Sequence, residues 1–525
     1  MGSIPAQSRL PGSRPGVLLF CVGLLAGCVT VGPDFEEPEV SWLADWQTDL
    51  YGQAGASAQQ TAADLSFWWQ LFNDPVLSQL IETARKENLN LRIAGLRILE
   101  SRAALGIARS TRYPQVQQVT GSAGYVDQQE HGGAAPNDTD LVTYQTGFNL
   151  GWELDFWGRF RRSIESADAA FFASMANYQD AQVLLSAAVA DLYYGLITTR
   201  RRLEITRRNA QIQKRSLEIT EELFKGGQQS ELDVQQARTQ YLATYSGIPE
   251  LEITETNLRN ALAVLLGRRP GDLPELAGVP EELPKVPGLG IDGIPAELIT
   301  RRPDVRAAAW QVAAQSARIG VARADYFPAI SLLGTLSFSG DSLDATPDVS
   351  TVAVGPALTW NVLDYGRIGN NVRVQDARLE QAVASYQNSV VLAAREIDDA
   401  AIAVVKTAER ESALAESVRS AERALDLANV RYQEGYSDFQ RVLDAQRALF
   451  AAAERQLLNE GSHVAAIVEF YRALGGGWLQ VPVEALVPEA VRDRMKSRTR
   501  WGGLLDAPLP DSSEGPVAPE EAGSP

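Results

Sequence analysis

The chain repeats itself once, and that repeat limits its architecture more than any other feature. Leu150-Gly-Trp-Glu-Leu-Asp-Phe-Trp-Gly-Arg159 matches Leu358-Thr-Trp-Asn-Val-Leu-Asp-Tyr-Gly-Arg367, so Trp152, Gly158 and Arg159 recur as Trp360, Gly366 and Arg367 at an offset of 208 residues. The same offset pairs Phe224 with Tyr432, Gly227 with Gly435, Val234 with Val442 and Ala237 with Ala445. Upstream, Leu105-Gly-Ile-Ala-Arg109 matches Ile319-Gly-Val-Ala-Arg323, and Tyr113-Pro114 matches Phe327-Pro328, at an offset of 214. The difference of six falls between Pro114 and Trp152, so the first half has the longer loop there. Each half reads in one order: a helical stretch ending at the aromatic-proline pair, two strands around a polar loop, then two long helical stretches joined at a glycine turn.

The strands alternate with period two. Val142, Tyr144, Thr146, Phe148, Leu150, Trp152 and Leu154 share one face, opposite Thr143, Gln145, Gly147, Asn149, Gly151 and Glu153. In the second half Ile330, Leu332, Leu336 and Phe338 oppose Ser331, Thr335, Ser337 and Ser339, and Val352, Val354, Leu358, Trp360 and Val362 oppose Thr351, Ala353, Gly355, Thr359 and Asn361. Apolar outward and polar inward is the pattern of a transmembrane barrel, with Phe148, Trp152, Phe338 and Trp360 as candidate lipid-facing side chains. A soluble sandwich strand with one wet face would alternate in the same way. Four strands cannot close a barrel, because single-chain barrels begin at about eight. Three copies would supply about twelve.

No proline interrupts the stretches from about Gly158 to Lys225 and from about Gly366 to Gln433. A helix of roughly 67 residues spans roughly 100 Å, which suits a coiled coil or a tunnel better than a globular core. Leu379, Val383, Tyr386, Val390, Ala393 and Ile397 step by fours and threes, as a coiled-coil seam does.

Near the N-terminus, Arg9 and Arg14 precede an apolar run from Val17 to Ala26 that is too short to span a bilayer but suits a signal peptide. The run ends Leu25-Ala26-Gly27-Cys28, which resembles the bacterial lipobox and makes Cys28 the candidate acylation site. No Asp follows Cys28, which is compatible with sorting to the outer membrane. The chain therefore divides into a signal peptide (1–27), an N-terminal anchor and equatorial segment (28–74), a first repeat (75–267), a Pro/Gly-rich connector (268–296), a second repeat (297–475), a C-terminal equatorial segment (476–500) and a Pro/Glu/Gly/Ser-rich tail expected to be disordered (501–525).

Composition excludes several classes. The net charge of −18 argues against nucleic acid. Cys21 and Cys28 are the only cysteines and His131 and His463 the only histidines, so neither a His/Cys metal site nor a His-based catalytic centre is expected. Gly288-Leu-Gly-Ile-Asp-Gly293 fits a dinucleotide-binding pattern by letters but sits in the connector with no preceding strand. Asp155-Phe-Trp-Gly158 lacks the loops of a kinase, and Asn137-Asp-Thr139 matches a glycosylation pattern by letters alone. His463 reads as a structural residue of a helix.

Four stretches together resemble the outer membrane factor family, the TolC-like lipoproteins of NodT/OprM type. They are Cys28-Val-Thr-Val-Gly-Pro-Asp-Phe35, Phe67-Trp-Trp-Gln-Leu-Phe-Asn-Asp-Pro-Val-Leu77, Gly293-Ile-Pro-Ala-Glu-Leu-Ile-Thr-Arg-Arg-Pro-Asp-Val-Arg306, and Val442-Leu-Asp-Ala-Gln-Arg447 following Gly435. The resemblance covers about Cys28 to Leu486. It implies an α+β membrane protein: a homotrimer whose twelve-stranded β-barrel continues into a periplasmic helical coiled-coil barrel. It also implies a periplasmic adaptor and an inner-membrane transporter of resistance-nodulation-division type as partners, and passive conduction of small molecules without enzymatic chemistry or cofactors. The family's closing ring of carboxylates falls on Asp444 and its arginine on Arg447. The chain departs from that pattern at Arg441, where some members have Asp, and at Gln440, where others have a hydrophobic ring. Leu232, Val234, Val442 and Gln446, at the two glycine tips, are the expected adaptor contacts. Export of proteins by a type I secretion system, or a non-conducting coiled-coil scaffold, are the alternatives.

Overall fold

The computed structural model describes residues 30–43, 46, 65–128, 139–271, 273–286, 297–341, 347–512 and 516. The signal segment, Cys28, the glycine pattern at 288–293 and the tail beyond 516 lie outside the described residues.

The first repeat begins with α1 (Pro75–Glu87) and α2 (Leu89–Ser110). Asp74 starts α1 by accepting the amides of Val76 and Leu77 at 2.9 and 3.2 Å, with Pro75 at the first helical position. Its other oxygen accepts the buried Tyr193 hydroxyl at 2.8 Å, which ties the cap to the next long helix. Strands β1 (Val116–Gln128) and β2 (Thr139–Leu154) follow, then the helices α3 (Arg159–Lys225) and α4 (Glu231–Leu265). After α5 (Glu297–Arg301) the second repeat runs α6 (Pro303–Ala324), β3 (Ala329–Gly340), β4 (Val349–Thr359), α7 (Arg367–Gln433) and α8 (Phe439–Ala473), before α9 (Val483–Leu486) and α10 (Glu489–Arg498).

The long helices of the two repeats match to the residue. α3 and α7 each have 67 residues and begin 208 apart, at 159 and 367; α4 and α8 each have 35. Gly158 (φ 75°) and Gly366 (φ 84°) take the left-handed conformation that turns strand into helix. Beside them Asp155 accepts the amides of Phe160 and Arg161, and Asp364 those of Gly366 and Ile368. Both turns therefore cap a helix whose glycine N-cap offers no side chain.

The strands form one antiparallel sheet in the order β1-β2-β3-β4. Its register sets Val119 opposite Phe148, Phe148 opposite Leu336, and Leu336 opposite Val352, so one row of apolar side chains crosses all four strands. The neighbouring row of the other face is Gln118, Asn149, Thr335 and Ala353, where Asn149 bonds to Thr120 at 3.3 Å and accepts from Thr335 at 3.4 Å. Slipping by one residue would exchange the faces. Trp152 and Trp360 stand at the helix end of the sheet, where their ring N–H groups donate to the carbonyls of Arg112 and Tyr326.

The main core lies where α1, α2, α6 and the ends of α7 and α8 pack around α3, from Trp68 and Phe72 to Phe470 and Leu505. An 18-residue stretch of α3 is apolar enough to cross a membrane, but 61% of it is buried among these helices, so it serves as the core. Disorder was expected from Trp501 onward, and residues 501–512 depart from it. Arg102 donates to the carbonyls of Leu504, Ala507 and Pro508 at 3.1, 2.6 and 2.9 Å, Leu505 is fully buried, and Ser512 accepts from Gln179 at 3.0 Å. Pro and Gly suit an extended strap as well as a free tail; captured carbonyls make the difference.

A charged knot ties together three segments of the second repeat below the sheet. Buried Arg302 reaches the Ala473 carbonyl at 2.6 Å, Asp304 at 2.9 Å and Glu396 at 2.9 Å. Asp180 of α3 faces this knot and has its carboxyl pushed up to about 6, by burial first and Asp304 next, with Arg302 and Arg472 opposing. A carboxyl raised in the native state binds its proton more tightly there, so stability falls as pH rises through the window from the ordinary value to about 6. Asp180→Asn should therefore raise the melting temperature at pH 7.5, by a gain on the order of 1–3 kcal/mol, and give no gain at pH 4. Equal effects at both pH values would refute the assignment.

Candidate functional site

The far end of each hairpin, away from the sheet, is a tight glycine turn. Gly227 (φ 72°) and Gly435 (φ 79°) occupy the left-handed position. Gln228 N donates to Leu223 O and Tyr436 N to Arg431 O, the six-to-one bond that ends a helix with its last carbonyls satisfied. Ser230 and Asp233 then start α4 with a reciprocal capping box, and Asp438 caps α8 through the amide of Arg441 at 3.3 Å.

A second, small core binds the two tips together. Leu217, Val234, Ala237, Phe439, Val442 and Leu443 are buried there, with the Tyr432 ring packed at a tilt against Phe439, centroids 5.4 Å apart. Gln229 reaches the Tyr432 hydroxyl at 3.1 Å, and Gln446 reaches Ser216 at 3.1 Å. This corrects the expected adaptor contacts: Val234, Val442 and Gln446 are buried between the hairpins of one chain, and Leu232 alone of the four is exposed, at 64%. The signal was in the sequence, because Val234 and Ala237 recur as Val442 and Ala445, and an apolar pair repeated at helical spacing marks an interior.

Three of the four candidate gate residues converge. Arg447 pairs with Asp444 at 3.3 Å and donates through Nε to Gln240 of α4. Gln440 donates to the same Asp444 oxygen at 3.0 Å. The Arg447–Asp444 pair is about half exposed, at 52% and 57%, and on its own contributes under about 1 kcal/mol. The bond to buried Gln240 adds a link between the hairpins, because it ties α8 to α4. Arg441 stands apart, paired with Asp438 at 3.8 Å and largely exposed.

At the sheet end, the structure adds a device that sequence reasoning missed. Val31 N donates to Trp157 O at 3.1 Å, and Arg162, buried in α3, grips Asp34 at 2.6 Å. Gly32 (φ 106°) lies so close to Gly320 of α6 that a side chain there would meet backbone at 2.4 Å. The chain's early residues are thus laced against the junction of sheet and helices. His463, read as structural, bonds to Thr407 at 2.8 Å, and burial holds its imidazole below the usual range.

A four-stranded sheet with an apolar face, continuing into paired helices of this length, is shared with known proteins. The family model for outer membrane efflux proteins matches residues 80–268 and 294–476. The chain belongs to that family. Among relatives, the solvent efflux pump outer membrane protein SrpC of Pseudomonas putida is 32% identical over 469 residues, covering 88% of this chain and 97% of its own. Outer membrane protein OprJ of Pseudomonas aeruginosa is 31% identical over 484 residues, covering 88% and 96%. Of solved structures, the outer-membrane channel OprN superposes with a TM-score of 0.78 at 34% identity, covering 85% of this chain and 99% of its own. CusC, a transmembrane channel, superposes with a TM-score of 0.74 at 26% identity, covering 85% and 100%. The protein is accordingly an efflux channel of the Gram-negative outer membrane, with its sheet in the bilayer and its hairpins in the periplasm.

A gate at the tips would need the contacts among Asp444, Arg447 and Gln240 to part. Arg447→Ala and Asp444→Ala should therefore raise single-channel conductance in planar bilayers. Wild-type conductance in both variants would show that these contacts hold no gate.

Proposed function

We propose that three copies of this chain form the exit duct of a three-part efflux pump. In this reading the duct receives small apolar toxicants from an inner-membrane transporter of resistance-nodulation-division type through a periplasmic adaptor. The observation that carries the reading is the sheet: one apolar face, one polar face, and two edges, β1 and β4, that pair with no further strand among the described residues. An unpaired edge is untenable in hydrocarbon, so closure by further copies satisfies it.

Helix burial supports the same assembly. α3 buries 29 of its 67 residues, whereas α7, its equal in length and position, buries ten. Exposed Val391, Leu392, Leu427 and Val430 on α7 are suited to a neighbouring copy. The names of the relatives, which speak of solvent and toluene efflux, support small molecules as cargo over exported proteins.

Cys28 is the acyl attachment in this reading. Thr30 packs on Gly158 at the foot of the sheet, and two residues of chain reach at most about 7 Å. A lipid on Cys28 would therefore enter the leaflet beside the barrel. Of the four expected contacts, exposed Leu232 is the one left for the adaptor at the first tip.

One complementation series tests the reading. A strain lacking the protein should become sensitive to toluene-class solvents, and wild-type protein should restore tolerance. Leu232→Asp should fail to restore it while keeping normal conductance, and Cys28→Ser should no longer take up an alkyne-tagged fatty acid. Full tolerance in the deletion strain, with its other efflux channels also removed, would overturn the reading.

A further inference from the structure

The chain is acidic overall, with 66 Asp and Glu against 48 Lys and Arg. A few short segments reverse the sign, one of them near the C-terminal end of the described residues. Residues 489–500 carry Arg492, Arg494, Lys496, Arg498 and Arg500 against Glu489 and Asp493. They form α10 and the turn after it, beyond residue 476, where the family match ends.

This helix contributes little to the core. Met495 is its only buried side chain, and the rest of its surface is polar or half-exposed. A helix polar nearly all round needs a reason other than burial to persist. Lys496 and Arg492 do have structural work, since both face Asp506 of the strap, at 3.1 and 4.0 Å. Arg494, Arg498 and Arg500 are exposed, and none forms an ion pair among the described residues. Arg494 and Arg498 are one turn apart on the same side, an arrangement of like charges that weakens a helix. The structure nonetheless holds them in place. α9 is seated on α2, where a side chain at Gly95 would meet the Leu486 carbonyl at 2.5 Å, and Arg102 captures three carbonyls of the strap just after α10.

The level of this patch in the molecule selects its partner. α10 is strung between contacts at Gly95 and Arg102, and α2 ends at Ser110 next to the sheet. At 1.5 Å per residue the two contacts lie about 22 and 12 Å below that end. With the hydrocarbon edge at the foot of the sheet, a headgroup layer of about 5–8 Å would end above both contacts, which favours a periplasmic partner over lipid phosphates. We infer that Arg494, Arg498 and Arg500 form a docking surface for a carboxylate-bearing polymer of the periplasm, the peptide-crosslinked glycan of the cell wall. Planar guanidinium groups suit carboxylates, and several weak contacts along a polymer add up where a single pair does not. The surface would hold the duct in the wall at a fixed height while leaving barrel and tips free.

The test uses the full-length trimer in detergent and purified Gram-negative sacculi. Wild-type protein should co-sediment with sacculi at low ionic strength and be released by salt. Arg494→Glu/Arg498→Glu/Arg500→Glu should bind at least tenfold more weakly, with unchanged trimer size and single-channel conductance. Sacculi whose carboxylates have been amidated should fail to retain the wild type. The inference is overturned if wild-type protein does not sediment, if the triple variant or the amidated sacculi bind as well, or if these arginines act only on vesicles of anionic phospholipid.

Discussion

Backbone hydrogen bonds at the rim of a sheet set the terms for everything else in this molecule. In water an unpaired strand is a hazard; in hydrocarbon each orphaned N–H and C=O costs several kcal/mol. The chain builds four strands with two open edges and surrounds one face with Val119, Phe148, Leu336 and Val352. Neither feature is stable alone. A closed ring of copies would remove both problems together, and the proposed duct follows from that closure.

The internal repeat explains how one chain makes such a surface. Equal helices of 67 and 35 residues occur twice, so the strands and hairpins arrive in matched pairs. The two copies have nevertheless diverged in burial. α3 became the core of the protomer, supported by α1, α2 and α6, while α7 kept one side open. The tips stay linked by a small core and by the bond from Arg447 to Gln240.

Much of this was legible in the amino-acid order. The offset of 208 residues, the alternation around Trp152 and Trp360, and the proline-free stretches have direct physical meaning in strand period and helix rise. Val234, Val442 and Gln446 misled because a position near a turn says little about which side of the helix is covered; the small tip core covers theirs. The strap at 501–512 misled because its order comes from Arg102, some 400 residues earlier. The grip of Arg162 on Asp34 was invisible for the same reason, being a contact between residues 128 apart. Contacts of that range leave no local pattern.

Closure of the sheet by exactly the right number of neighbours is the central claim, and cysteines in the two edge strands test it directly. Val119 in β1 and Val352 in β4 are exposed, at 77% and 74%, and lie at opposite ends of one cross-sheet row. Cysteines at or near these positions, joined by a short bis-maleimide in intact outer membranes, should give a denaturing-gel ladder of one, two and three chains that stops there. A ladder running past three chains, or no cross-link at any pairing along the two strands, would contradict the account.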